Sequence, residues 1–294
     1  MKSNVLKLAT VFFLTLFCAT TSNALDNGKP GFEQELSKQE QIYRSQGEKR
    51  PEGYVIDRSL VYYVDALPQA FDRALTLLGP ADRWLDIGAG EGQAVLDYFA
   101  PDYETQHGFP AGAPRRKAGA IAMSIEDRRS MAWHSTAALL PANQMRYLFG
   151  KPFQHYSAAE LGTFRLITDV IGGFSYTDNL SFYVTSVLSA LELNGTFFTV
   201  LQDVNSDAGT NAPHYAGAPF LTGIDNAAGN ELKVCSWLKS ISCVEVTCEL
   251  RSRWKPPIEA YSVRKVCNET RVPDLVPTHF QAGTPPERKF RWNR

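Results

Sequence analysis

The sequence predicts an α/β fold: a seven-stranded, mostly parallel, doubly wound sheet with an antiparallel C-terminal hairpin. Three observations predict it. From residue 83 onward, short apolar runs alternate with segments of helical apolar spacing, the order that parallel strands joined by right-handed crossovers require. The runs are nearly continuous in apolar residues, as in "TFFTVL" (196–201), which suits strands covered on both faces. The last two runs are joined by a turn around Lys255-Pro256-Pro257, too short for a helical crossover, so they must pair antiparallel.

The elements follow in chain order. Residues 1–24 read as a secretory signal peptide: Lys2 and Lys7, then the uncharged apolar run "LATVFFLTLFCAT", then Ser22-Asn23-Ala24 as a small-x-small cleavage site. The run is short for a span of about 20 residues. Cleavage and export to the periplasm or medium are therefore expected, with an uncleaved membrane anchor as the alternative. Residues 25–58 are polar and read as a loose N-terminal arm. The main domain is placed at 59–270. It opens with "SLVYYVDALPQAFDRALTLL", which has helical spacing divided by Pro68 and is stopped by Gly79-Pro80. "RWLDI" (83–87) is the first strand, followed by a glycine turn and the helix "QAVLDYFA". Residues 101–118 hold three prolines and read as a surface insertion. "AGAIAMSI" (118–125) is the second strand, with Glu126 at its carboxyl end. "EDRRSMAWHSTAALLP" is a helix, and "QMRYLFG" (144–150) is the third strand. "FRLITDVIGGF" (164–174) is the fourth strand. "DNLSFYVTSVLSALEL" is a helix with Asp178 or Asn179 as N-cap and Asn194-Gly195 as its stop. "GTFFTVLQDV" (195–204) is the fifth strand. Residues 205–230 read as a long loop, "ELKVCSWLKSI" as a helix, and "SCVEVTCELRSRW" and "IEAYSVRKV" as the final pair of strands. The proline-rich stretch 271–294 is expected to be irregular.

Charge and cysteines narrow the function classes. The chain of 294 residues carries 30 Lys and Arg against 31 Asp and Glu. Loss of Lys2 and Lys7 with the signal leaves 28 against 31. That balance disfavours a general nucleic-acid binder, and a small-molecule partner is expected instead. No second long apolar stretch follows the signal, so stable membrane insertion after cleavage is not expected. The mature chain keeps Cys235, Cys243, Cys248 and Cys267 within one C-terminal stretch. An even cluster in an exported chain suggests two disulfides; three pairings are possible and the sequence does not choose. A four-thiolate zinc site is disfavoured because the closest gap, Cys243-x4-Cys248, has no second close pair, and no metal is expected.

The stretch that carries chemistry is "LDIGAGEG" (85–92). Its glycines are spaced G-x-G-x-G, whereas a dinucleotide turn wants G-x-G-x-x-G with a helix N-terminus on the pyrophosphate. Asp86 before the turn and Glu91 within it would repel a pyrophosphate and suit a cationic ligand. This stretch resembles motif I of the class I S-adenosylmethionine-dependent methyltransferases, and with the strand order the resemblance covers about residues 60–267. It implies S-adenosylmethionine as cofactor, with Asp86, Gly88, Ala89 and Gly90 at its methionine part and Glu126 on the ribose hydroxyls. It further implies Lys151 and Phe153 near the adenine and Asp169, ending the fourth strand, facing the cleft. The sequence departs from the family where Gly150-Lys151 stands for a glycine-acid step and Arg165 for an acid in "FRLI".

The implied reaction is transfer of the activated methyl group to an unidentified acceptor, a small molecule being favoured. The protein's share is alignment, exclusion of water and, where the nucleophile must lose a proton, a base. Asp169, His214 and Tyr215 are the candidate catalytic residues. His134 and His155 are further candidate bases. Tyr62 and Tyr63 on the N-terminal helix, with the loop holding His214, are expected to form a lid. "DVIGGF" lacks the Asn/Asp-Pro-Pro-aromatic box of enzymes that methylate amino groups of nucleic-acid bases. G-x-S-x-G, H-E-x-x-H and P-loop motifs are absent from the sequence. Two other readings remain: an inactive methyltransferase fold that serves as a binding module, and an NAD-type oxidoreductase disfavoured by its glycine spacing.

Overall fold

The computed structural model describes residues 58–100, 117–201, 221–251, 258–281 and 286–293. Residues 1–57, which include the stretch read as a signal peptide and most of that read as an arm, residues 101–116 of the expected insertion, and the loop holding His214 and Tyr215 lie outside the described residues.

Seven strands form the main sheet: β1 (Arg83–Ile87), β2 (Gly119–Met123), β3 (Met145–Leu148), β4 (Phe164–Val170), β5 (Leu191–Leu201), β8 (Val244–Arg251) and β9 (Ile258–Lys265). Their spatial order is β3-β2-β1-β4-β5-β9-β8. The first five are parallel, while β9 lies antiparallel between β5 and β8. The chain therefore has the seven-stranded, mostly parallel α/β sheet with an antiparallel hairpin that the alternating pattern predicts.

One face is covered by α1 (Leu60–Ala66), α2 (Ala70–Thr76), α3 (Gln93–Phe99) and α4 (Met131–Leu139). The other is covered by α7 (Leu180–Ala190) and α8 (Val234–Leu238). Alternate residues of β1 divide between the two cores: Trp84 joins the first, Leu85 and Ile87 the second. Pro68 separates α1 from α2 as predicted, and Ser59 caps α1 by accepting from the Tyr62 amide. Asn179, not Asp178, caps α7. α7 ends at Ala190 and β5 begins at Leu191, earlier than the Asn194-Gly195 stop expected from sequence. The β-branched, aromatic ladder of β5 extends back past Gly195, whose bare Cα lies close to the Phe164 and Glu192 carbonyls.

Three expectations need correction. The stretch 271–294 is not irregular: β10 (Leu275–Gln281) and β11 (Glu287–Trp292) form a hairpin. It joins β6 (Thr222–Asn226), from the stretch read as loop, and β7 (Glu231–Leu232), from the start of the stretch read as helix, in a second sheet ordered β10-β11-β6-β7. "ERKFRW" alternates inward Arg288, Phe290 and Trp292 with outward charges, a period-2 signal outweighed by the prolines. Pro277 sits on the edge strand β10 beside a register shift, where no ladder hydrogen bond is needed. The third correction concerns the lid. Tyr62 and Tyr63 are buried in the core, and α1 packs on α3.

The four cysteines pair as Cys235–Cys248 and Cys243–Cys267, with Cα separations of 6.1 and 5.1 Å. They staple α8 to β8 and the start of β8 to the segment after β9. Among the described residues, no helix is long and apolar enough to cross a membrane, and no metal-binding cluster occurs.

Candidate cofactor cleft

The chain leaves β1 toward β2 on one side, and later adds β4 on the other, so the order reverses at β1. Ligands of open α/β sheets bind at such a point, beyond the carboxyl ends of the strands. Here that edge carries two facing turns. The first is Gly88–Gly92, where Gly88, Gly90 and Gly92 have φ of 76°, 61° and 87°. Both the Gly88 and Ala89 amides donate to the Met123 carbonyl at 2.9 Å, and the Tyr147 hydroxyl donates to the Gly90 carbonyl at 2.5 Å. A side chain at Gly92 would meet the Trp133 ring at 2.5 Å. The turn is thus held from three sides.

The second turn, Ile171–Gly173, follows β4. A Cβ on Gly88 would stand 2.7 Å from the Gly172 Cα, and one on Gly172 would stand 2.7 Å from the Ile87 carbonyl oxygen. Only two glycines allow the turns to approach this closely. Ile171 has φ of 56°, a strained conformation for a β-branched residue. Asp169 holds it there. Its carboxylate accepts from the Gly172 amide at 2.7 Å, the Phe174 amide at 2.8 Å and the Tyr183 hydroxyl. Asp169 is fully buried, and burial raises its carboxyl to about 6 against the lowering effect of those hydrogen bonds and of Arg288.

Arg288 of β11 closes the other end of the short helix α6 (Gly173–Tyr176). It is fully buried, donating to the Phe174 and Thr177 carbonyls at 2.6 Å each and to Thr222 Oγ1 at 3.0 Å. A buried carboxylate on the N–H end and a buried guanidinium on the C=O end fix this one-turn helix, complementing its dipole.

Between the turns lies a cavity of about 510 Å³. Ile87, Gly88 and Gly90 come from the first turn, and Met123, Ser124 and Ile125 from the end of β2. Lys151, Pro152, Phe153 and Gln154 come from the segment after β3, and Ile171 to Asp178 supply part of the far wall. Arg58, before α1, and Phe280, from β10, complete it.

The sequence-predicted residues divide on this map. Gly88, Gly90, Lys151 and Phe153 line the cavity. Ala89 is buried in the turn behind them. Asp86 is fully buried on the α1 side, where it accepts from the Tyr63 hydroxyl at 3.0 Å and Thr168 Oγ1 at 2.7 Å. Asp169, expected to face the cleft, lies beneath the second turn and is absent from the cavity lining, with its oxygens engaged by the turn it supports and by Tyr183. Glu126 is absent from the cavity lining and is paired outward with Arg128 at 2.7 Å. β2 ends at Met123, so the side chain meeting the cavity directly after the strand is Ser124, two residues before the acid picked from sequence. His134 and His155 are exposed and outside the cavity lining. Lys151 also pairs with Glu160 at 2.7 Å. Arg165 donates to the Leu193 carbonyl, away from the cleft.

Sequence reasoning missed Arg58, Ser124, Tyr176, Asp178 and Phe280. The position of Ser124 was available from counting back to the strand end. Phe280 had no local signal, because its place depends on the second sheet.

No protein-family model matches the chain, and no curated protein sequence matches it. Solved structures do resemble it in fold. An rRNA methylase from Streptococcus thermophilus is 11% identical, with a TM-score of 0.40 over 68% of this chain and 95% of that one. A Listeria monocytogenes protein described as a "putative S-adenosylmethionine dependent methyltransferase" is 12% identical, with a TM-score of 0.42 over 67% of this chain and 95% of that one. Haemonchus contortus phosphoethanolamine N-methyltransferase 2, solved with S-adenosyl-L-methionine, is 10% identical, with a TM-score of 0.41 over 67% of this chain and 51% of that one.

Proposed function

We propose that this chain binds S-adenosylmethionine in the 510 Å³ cleft and transfers its methyl group to a small-molecule acceptor. The observation that carries the reading is the pairing of the Gly88–Gly92 turn with the Ile171–Gly173 turn at the point of strand reversal. Two bare Cα atoms there open a cavity whose volume suits a nucleoside-sized ligand.

The residues present fit the cofactor in most of its parts. The left-handed glycine turn offers a close backbone approach for the methionine portion, and Ser124 offers a hydroxyl for the ribose. Lys151 and Phe153 flank the adenine region. The ribose carboxylate common in the resembled family has no equivalent in the lining, since Glu126 points outward. When bound, the cofactor supplies an already activated methyl on its sulfonium. The protein's work is then to align the acceptor and keep water out. Ile171, Tyr176 and Phe280 give the acceptor side an apolar wall. Asp178 is the carboxylate on the cavity lining among the described residues, and it takes the proton where the acceptor is a hydroxyl or amine. His214 and Tyr215 remain proposed substrate contacts from outside the described residues. We also read the chain as exported, a reading that the two disulfides support. The mass of the N-terminus from the producing cell checks cleavage after Ala24.

Calorimetric titration of the purified protein tests the cofactor. Saturable binding of S-adenosylmethionine supports the proposal, and binding of NAD alone replaces it with an oxidoreductase. Binding of neither favours the inactive binding module, for which the outward Glu126 and the enclosed Asp169 already argue.

A further inference from the structure

The opposite edge of the sheet, at the amino ends of the strands, holds a second cleft of about 670 Å³. We propose that it binds a small phosphorylated molecule, gripped between the guanidinium groups of Arg83 and Arg146. The cleft shares no lining residue with the cofactor cavity, so the proposal stands apart from the methyltransferase reading.

The sheet register puts the two arginines on one face. Arg83 of β1 pairs with Gly119 of β2, and Ile121, two residues on, pairs with Arg146 of β3. They stand two strands across and two residues along, roughly 12 Å apart, with the bare Cα of Gly119 beside Arg83 on the strand between them. Arg83 is built in rather than loose. Its guanidinium lies 4.5 Å over the Phe164 ring and donates through Nη1 to the Thr163 carbonyl at 3.3 Å. A side chain at Gly162 would meet that same Nη1 at 2.5 Å, so this glycine makes the seat. One of five donors is used, and the others remain for a ligand. The Arg146 side chain forms no hydrogen bond or ion pair among the described residues.

The carboxylates nearby are committed elsewhere. Asp82 accepts from the Gly79 amide at 2.6 Å. Glu160 accepts from Lys151 and from the Ser157 amide, which hold its carboxyl down at about 2. Glu192, outside the lining, accepts from Thr163 Oγ1. Burial and then the proximity of Arg146 depress the Arg83 guanidinium, the mark of two like charges facing one space. An anion placed there relieves that repulsion, and a planar guanidinium matches phosphoryl oxygens in geometry as well as charge.

The test is calorimetric titration of the full chain with pyrophosphate at low ionic strength, repeated with inorganic phosphate. Saturable binding at one site is expected. Arg83→Gln and Arg146→Gln each weaken it roughly ten- to hundredfold, as loss of hydrogen bonds to a charged partner does. Gly119→Val fills the cleft floor without changing any charge and removes binding, while Arg264→Gln, on the distant hairpin, leaves it unchanged. Unaltered thermal unfolding confirms that each variant is folded. The proposal is overturned if pyrophosphate does not saturate, or if Arg264→Gln weakens binding as much as Arg83→Gln. It is equally overturned if Gly119→Val binds like wild type, or if an oligonucleotide binds where pyrophosphate does not.

Discussion

Replacing Arg288 with methionine tests whether the C-terminal sheet holds the cleft wall. Methionine keeps the apolar stem and removes the guanidinium. Three hydrogen bonds go with it, to the Phe174 and Thr177 carbonyls and to Thr222 Oγ1. So does the favourable field at the buried Asp169 carboxyl. The carbonyls lie inside the protein, where water reaches them poorly, so the loss is that of a broken buried charge network, about 3–5 kcal/mol. Against a typical stability of about 5–15 kcal/mol this is large. At about 2–4 °C per kcal/mol for a domain of this size, the melting temperature should fall by roughly 6–20 °C. Urea unfolding measures the free energy. Hydrogen exchange measures the place, because the amides of Gly172 to Thr177 should lose protection before those of β1 and β4. Arg288→Lys, which keeps the charge but cannot span three acceptors, should fall between. A loss under about 1 kcal/mol, or lower stability with the Gly172–Thr177 amides as protected as before, would refute the reasoning.

Three further outcomes are expected. Gly88→Ala places a Cβ 2.7 Å from the Gly172 backbone at a φ of 76°, so it should cost about 2–4 kcal/mol and weaken S-adenosylmethionine binding at least tenfold by titration. Ser124→Ala should weaken that binding severalfold, whereas Glu126→Ala should leave the dissociation constant unchanged; the reverse result would restore Glu126 to the ribose. Burial raises the Asp72 carboxyl from 3.8 to about 6, so the folded state holds this proton more tightly than the unfolded one. That carboxylate therefore costs stability as pH rises from about 4 through 6 and no more beyond. Asp72→Asn should gain at most about 3 kcal/mol over wild type at pH 7 and nothing at pH 3.5, less the small favourable effect of an acid in the first turn of α2. Equal gains at both pH values in urea unfolding would exclude titration as the cause.

Much of the fold was legible because its signals are local. The helix break at Pro68, a cap at Asp178 or Asn179 and the glycine turn after "RWLDI" each depend on residues within one or two turns of chain. The antiparallel pairing of β8 with β9 followed from a connection too short for a helical crossover, whereas the insertion of β9 between β5 and β8 is seen only in the structure. The candidate cleft was half legible. Gly88, Gly90, Lys151 and Phe153 line the cavity beyond the strand ends. Glu126 does not, because Ile125 carries the apolar run past the strand end at Met123, and the carboxylate three residues beyond that end pairs with Arg128 instead.

The sequence by itself determined the alternation of strands and helices, the antiparallel pairing of the last two strands, the glycine turn and the number of disulfides. These rest on periodicity, backbone freedom and cysteine count, which need no partner. Only the tertiary structure decided what each buried polar group does. Asp86 and Asp169 are strand-end acids of the same kind in sequence. Packing commits the first to Tyr63 and Thr168 and the second to the backbone of the turn it supports. Phe280 and Arg288 reach the cleft because prolines and charges fold into a second sheet more than a hundred residues after the turn they complete. A buried charge must find its partners wherever the fold brings them, and sequence separation carries no record of that distance.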